Sequence, residues 1–139
     1  FEHFGVEPDR ILLRSFATSF QDHLAMYNEV DLALDPFPYN GTTTTCEALW
    51  MGVPTLTMAG KSHAGRVGVS LNSRAGLEQF ITNDLESYIE TAVGWAGKVE
   101  ELGELRLKLR EQVAQSPVCD AISLTRAIEE RFREVLGGV

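Results

Sequence analysis

Residues 30–58 hold the pattern that most constrains the fold. An apolar stretch, Val30-Asp31-Leu32-Ala33-Leu34-Asp35, runs into a loop rich in Pro, Gly and Thr. A helical segment follows at residues 44–51 (Thr-Thr-Cys-Glu-Ala-Leu-Trp-Met), closed by Gly52 and then Pro54, the usual punctuation of a helix C-terminus. A second apolar stretch, Pro54-Thr55-Leu56-Thr57-Met58, comes directly after. Strand, helix and strand in this order predict parallel strands joined by a right-handed crossover.

Other segments extend the alternation. Arg10-Ile11-Leu12-Leu13-Arg14-Ser15 is a further apolar stretch of strand length. Residues 19–28 predict a short helix with Ser19 as N-cap and Asp22 in the capping-box position. Residues 63–75 predict another, closed by Gly76. Beyond Gly76, segments 84–97, 99–115 and 120–136 carry apolar residues at helical spacing, with Leu102, Leu105, Leu109 and Val113 on one face. Trp50, Met51 and Trp95 are expected to pack helix against sheet. The expected fold class is α/β: a Rossmann-like parallel sheet over residues 1–80, with a C-terminal helical extension over 81–139 packing on it. Three strands are few for an open sheet, and Phe1-Glu2-His3-Phe4-Gly5 reads as the last turn of a helix begun upstream. The sequence is therefore read as a piece of a longer polypeptide, short of its first strands.

Composition narrows the function classes. Of 139 residues, 44% are hydrophobic and 23% charged, which supports a folded core and argues against disorder. A net charge of −8 disfavours nucleic acid and anionic membrane surfaces as partners. No apolar run approaches the roughly 20 residues of a membrane span. Cys46 and Cys119 are too few for a disulfide framework, so a soluble, cytoplasmic protein is expected. The charge is uneven, however. Between Pro36 and Leu77, three cations (Lys61, Arg66, Arg74) face one acid (Glu47), a local +2 that leaves −10 for the remainder.

That electropositive segment contains the loops expected at the carboxyl ends of the strands, where open α/β sheets bind ligands. In Asn40-Gly41-Thr42-Thr43-Thr44-Thr45-Cys46-Glu47, Gly41 lets a backbone approach a ligand and the threonines set hydroxyls beside free helix N–H groups. Such a helix start suits an anion. Thr44-x-x-Glu47 also reads as a plain capping box, although four threonines exceed what a cap requires. The loop Gly60-Lys61-Ser62-His63 is no P-loop, because Thr55 stands where the first glycine is needed. Its cations read equally well as solvated surface. His3, His23 and His63 form no metal-binding pattern, and no serine sits in a nucleophile elbow. His23, just after the first apolar stretch, could reach the same crevice or lie idle on a short helix.

The stretch Phe37-Pro38-Tyr39-Asn40-Gly41-Thr42-Thr43-Thr44-Thr45-Cys46-Glu47-Ala48-Leu49-Trp50-Met51-Gly52-Val53-Pro54 resembles the C-terminal catalytic lobe of the O-linked N-acetylglucosamine transferase (SPINDLY-like) family. The resemblance extends from Asp9-Arg10-Ile11 to Ser116-Pro117-Val118-Cys119-Asp120. It implies one lobe of a GT-B glycosyltransferase that binds a UDP-sugar donor and needs no metal or other cofactor. It implies transfer of N-acetylglucosamine to Ser or Thr hydroxyls of a protein acceptor, in a chain that also carries an N-terminal lobe and tetratricopeptide repeats. By position, Thr43 and Thr44 would meet the diphosphate, Glu47 the ribose hydroxyls, and His23 the uracil or its ribose. Thr42 stands where some relatives have His, and the lysine that relatives place shortly before the histidine is absent from residues 18–22 (Thr-Ser-Phe-Gln-Asp). Lys61 lies near enough in sequence to the expected crevice to oppose the charge of a leaving diphosphate. No catalytic residue is assigned; a general base would come from the other lobe, and the 139 residues alone are expected to be inactive. The alternative is a non-catalytic nucleotide-sugar-binding or scaffold module, which the missing lysine and Thr42 favour.

Overall fold

A computed structural model describes residues 1–137. Three parallel strands form the sheet in the order β1 (Ala33–Leu34), β2 (Thr55–Met58), β3 (Ile81–Thr82). Ala33 pairs with Thr55 and Leu34 with Leu56, while Thr57 pairs with Ile81 and Met58 with Thr82. β2 therefore pairs with a neighbour on each side, and Thr55, Leu56 and Thr57 are all buried. A strand covered on both faces turns no side to solvent, so the threonines of β2 are as shielded as Leu56.

The strand expected at residues 10–15 does not form. Pro8–Arg10 is a short 3-10 turn, Ile11 after it is extended, and residues 11–17 join no ladder. No neighbouring strand takes its hydrogen bonds and no layer covers Leu12 and Leu13, which are 70% and 87% exposed. β3 takes the place of the third strand, reached through a 3-10 turn at Glu78–Phe80. Residue 81, where the helical extension was expected to begin, thus lies in the sheet.

The helices follow their sequence signals closely. α1 (Phe20–Ala25) opens on the Ser19 cap: Asp22 N donates to Ser19 Oγ at 3.1 Å, and Ser19 Oγ donates to Asp22 Oδ2 at 2.7 Å. A 3-10 turn, Met26–Glu29, continues it. α2 spans Thr43–Trp50, and α3 (Val67–Ala75) ends at Gly76, whose φ of 71° is the left-handed conformation that glycine adopts without strain. α4 (Leu85–Ala96) is capped by Asp84, and α5 (Val99–Ala114) presents Leu102, Leu109 and Val113 to the core. These side chains meet Leu49, Leu56, Leu77, Phe80 and Tyr88, with Leu105 and Trp95 at the margin. Trp50 departs from expectation: it is 42% exposed, with the Arg110 guanidinium 5.5 Å from its ring centre. α6 (Ala121–Gly137) buries none of its residues.

α5 also braces the region below the candidate site. Arg106 donates to Tyr27 O at 2.6 Å and Val30 O at 2.7 Å, holding the turn that leads from α1 into β1.

Candidate functional site

The site is built where β1 ends. Asp35, the residue after the strand, is 2% exposed, and its Oδ1 accepts from Gly41 N at 2.7 Å while Oδ2 accepts from Thr57 Oγ1 at 2.7 Å. Tyr88 OH donates to Asp35 O at 3.1 Å. Burial pushes the Asp35 carboxyl above its ordinary range, against the opposing pull of the Gly41 N–H and the Thr57 hydroxyl. This carboxyl thus ties the loop's exit to β2, and so sets where α2 begins.

Asn40 is also buried. Its side-chain amide donates to Pro36 O at 3.1 Å, its Oδ1 accepts from Gly68 N at 3.4 Å, and its own N–H donates to Ala64 O at 2.9 Å. In the structure Asn40 thus joins two loops, from Pro36 on its own loop to Ala64 and Gly68 on the other side. Gly41 is required by close approach, since a Cβ there would lie 2.6 Å from Thr44 Oγ1.

α2 starts at Thr43 with Thr42 as its N-cap residue, and no side chain caps it. Thr45 is buried and turns its hydroxyl back to Gly41 O at 3.0 Å, whereas Thr42, Thr43 and Thr44 are exposed. The capping box does not form. Thr44 lies inside the helix, and Glu47 points away from the helix start. The first-turn amides consequently face outward, with the positive end of the helix dipole behind them.

Glu47 instead meets α1. Its Oε2 lies 2.9 Å from His23 Nε2 and accepts from Tyr27 OH at 3.3 Å, and Tyr27 OH is also 3.2 Å from Thr44 O. Burial, reinforced by the Glu47 charge and hydrogen bond, pushes the Tyr27 hydroxyl up to about 12, so it remains a donor. His23 and Tyr27 are stacked edge to face with ring centres 5.9 Å apart. Tyr27 escaped the sequence reading, although its spacing of four from His23 on one helical turn was the available signal.

Two depressions flank the start of α2. One is a cleft of about 630 Å³ whose walls include Thr42, His63, Arg66, Val67 and Ser70. The other is smaller, between Tyr27, Leu34, Asp35 and Thr44. Of the residues singled out in the sequence, His23 and Glu47 come into contact, and Thr42, Thr43 and Thr44 stand at the helix start between the depressions. Lys61 is exposed and makes no hydrogen bond or ion pair among the described residues. Arg66 sits closer in, its guanidinium 3.4 Å from Gly60 O. Among the described residues no group of three His, Cys, Asp or Glu side chains could hold a metal ion.

An uncapped helix start at the carboxyl end of a parallel sheet suits an anion without naming one, and comparison with known sequences narrows the choice. The profile of glycosyl transferase family 41 matches residues 1–128. The chain belongs to glycosyl transferase family 41. Within that family, it is 45% identical over 134 residues to a Solanum lycopersicum protein named as a probable UDP-N-acetylglucosamine–peptide N-acetylglucosaminyltransferase, SPINDLY, covering 96% of this chain and 14% of the relative. It is 33% identical over 129 residues to the Arabidopsis thaliana protein SEC, named for the same activity, covering 92% of this chain and 13% of the relative. Among solved structures, an O-GlcNAc transferase mutant from Thermobaculum terrenum superimposes with a TM-score of 0.80 at 39% identity, over 96% of this chain and 25% of that one. The family 41 chain thus has the fold of a GT-B C-terminal lobe, and it spans about 14% of the length of the curated relatives it matches. No helix among the described residues is long and apolar enough to cross a membrane.

Proposed function

We propose that this chain supplies the donor-binding part of a glycosyltransferase that moves a sugar from a nucleotide diphosphate to Ser or Thr hydroxyls of proteins. The named activity of the relatives points to N-acetylglucosamine carried by UDP. The observation that carries the reading is the uncapped start of α2, with Glu47 held one turn in by His23 and Tyr27. In this reading the first-turn amides and the hydroxyls of Thr43 and Thr44 take the diphosphate, Glu47 takes the ribose hydroxyls, and His23 lines the nucleoside side.

Charge builds on the leaving diphosphate in the transition state, and dipoles fixed in advance lower that barrier more than groups that must reorient. The α2 start supplies such dipoles without a metal, with Arg66 and Lys61 as the nearest cations of the adjoining loop. The acceptor side and general base come from a second lobe, alongside tetratricopeptide repeats, elsewhere in the polypeptide. The short share of the relatives' length supports this division, as it supports an inactive isolated chain. A cytoplasmic setting fits the acidic composition.

Calorimetry of the full-length protein with UDP and UDP-N-acetylglucosamine tests the reading. Saturable binding, weakened by Thr43→Ala and Thr44→Ala, is the expected result; no affinity for either ligand would overturn it. The second reading, a binding module without transfer, is favoured by the absence of a lysine from residues 18–22 and by Thr42. Binding without sugar transfer to any protein acceptor would select it.

A further inference from the structure

Both cysteines of the chain line one apolar groove of about 400 Å³, walled also by Leu24, Trp50, Val113 and Val118. Cys46 lies on α2 between Thr45 and Glu47 and is half-buried, while Cys119 is exposed. The turn between α5 and α6 places Cys119 firmly. Ser116 Oγ donates to Val113 O at 2.7 Å and accepts from Val118 N at 3.2 Å, Cys119 N donates to Ser116 O at 3.1 Å, and Val118 packs against the core. Two thiols far apart in sequence are thereby held at one surface. Burial pushes the Cys46 thiol up, and its neighbours Cys119 and Glu47 push it further.

We propose that Cys46 and Cys119 form a reversible disulfide that ties the α5–α6 turn to α2, the helix whose first turn carries Thr43 and Thr44. The co-reactant is a low-molecular-weight disulfide such as oxidised glutathione. The Cys119 thiol, accessible from solution, gives up its proton and attacks one sulfur of that disulfide. The small S–S bond breaks, one small thiolate departs with the electron pair and takes up a proton, and Cys119 is left as a mixed disulfide. Cys46 then gives up its proton and attacks the Cys119 sulfur, expelling the second small thiol. Two protein thiols are oxidised and one small disulfide is reduced to two thiols. The order follows from the setting: the exposed thiol reacts first, and Cys46, kept protonated by burial and acidic neighbours, is the resolving partner. In a reducing compartment the pair rests as thiols and closes only on oxidation, the usual behaviour of intracellular disulfides.

Closing the bond requires Cα atoms within roughly 7 Å of each other, and peptide mapping reads directly whether the groove supplies this. The full-length protein is equilibrated with mixtures of reduced and oxidised glutathione, digested without reduction and mapped by mass spectrometry. The expected product is a linked peptide pair joining Cys46 to Cys119, lighter by two hydrogens than the free thiols and lost on adding excess dithiothreitol. Cys46→Ser should instead accumulate glutathione on Cys119. Separate glutathione adducts on both cysteines of the unmutated protein, with no linked pair, would overturn the proposal. So would both remaining thiols in oxidised glutathione alone. No step uses the nucleotide, so the result stands apart from the donor-binding reading.

Discussion

His23 Nε2 and Glu47 Oε2 meet at 2.9 Å, joining α1 to α2 across the mouth of the candidate site. An ionised carboxylate only accepts, so Nε2 is the ring nitrogen that carries the hydrogen. Together with the Tyr27 hydroxyl, this contact settles where Oε2 points, while Oε1 makes no hydrogen bond among the described residues.

Replacing Glu47 by Gln keeps the side chain's size and removes its charge. Hydrogen bonds to charged groups contribute about 1.5–3 kcal/mol each, so Glu47→Gln should weaken nucleotide binding by about that amount in calorimetry. An unchanged affinity would remove Glu47 from the binding surface.

The three threonines that open α2 divide into two kinds. Thr43 and Thr44 are exposed, so their replacement by Ala should shift folding stability by no more than about 0.5 kcal/mol. Each loss of a hydroxyl should still weaken nucleotide binding by about 1 kcal/mol. Thr45, buried and bonded to Gly41 O, should behave in reverse, with Thr45→Ala lowering the denaturation midpoint by about 1 kcal/mol in stability. Thermal melts beside binding titrations separate the two patterns.

Gly68 admits no side chain. A Cβ there would lie 2.3 Å from both Asp35 Oδ2 and Thr57 Oγ1. Gly68→Ala should therefore break the Asp35–Thr57 hydrogen bond or displace α3, costing about 1–3 kcal/mol in urea unfolding. Unaltered stability would mean that α3 moves away from β2 freely.

Asp35 gives a pH dependence with a defined sign. Its carboxyl titrates above the ordinary range in the folded state, because burial disfavours the charge. The folded chain then holds more protons than the unfolded chain between the two values, so this contribution is full below the unfolded value and is lost as pH rises through the folded one. Asp84 and Asp120, held low by hydrogen bonds from Ser87 and Ser123, act in the opposite direction as pH falls. Comparison with Asp35→Asn isolates the Asp35 contribution. The stability of the unmutated chain relative to the variant should decline as pH rises from about 4, as read by urea unfolding at successive pH values. A gap that holds level or widens would contradict it.

Local signals carried much of this structure. The Ser19 cap, Gly76, the α5 face and the βαβ unit around α2 were each written in a few adjacent residues. What escaped depended on distant neighbours. Ile11-Leu12-Leu13 has strand composition but no strand beside it, and composition cannot report that. Ile81–Thr82 is a two-residue strand, too short for periodicity to mark. Tyr27, Asp35 and Arg106 act through contacts 6–79 residues away in sequence, the longest from Arg106 to Tyr27. Thr44-x-x-Glu47 shows the opposite failure: its local grammar fits a cap, yet His23 and Tyr27 claim the carboxylate.

The loop before α2 is held across its two ends, by Asp35 to Gly41 and by Asn40 to Pro36, and to the adjoining loop by Asn40 to Ala64. Its conformational entropy has been surrendered during folding, before any ligand arrives. A guest with the right shape would then keep most of its contact free energy as affinity, since little ordering remains to be done on binding. Substitutions that loosen the loop should therefore act as entropic penalties on affinity even where they touch no ligand atom.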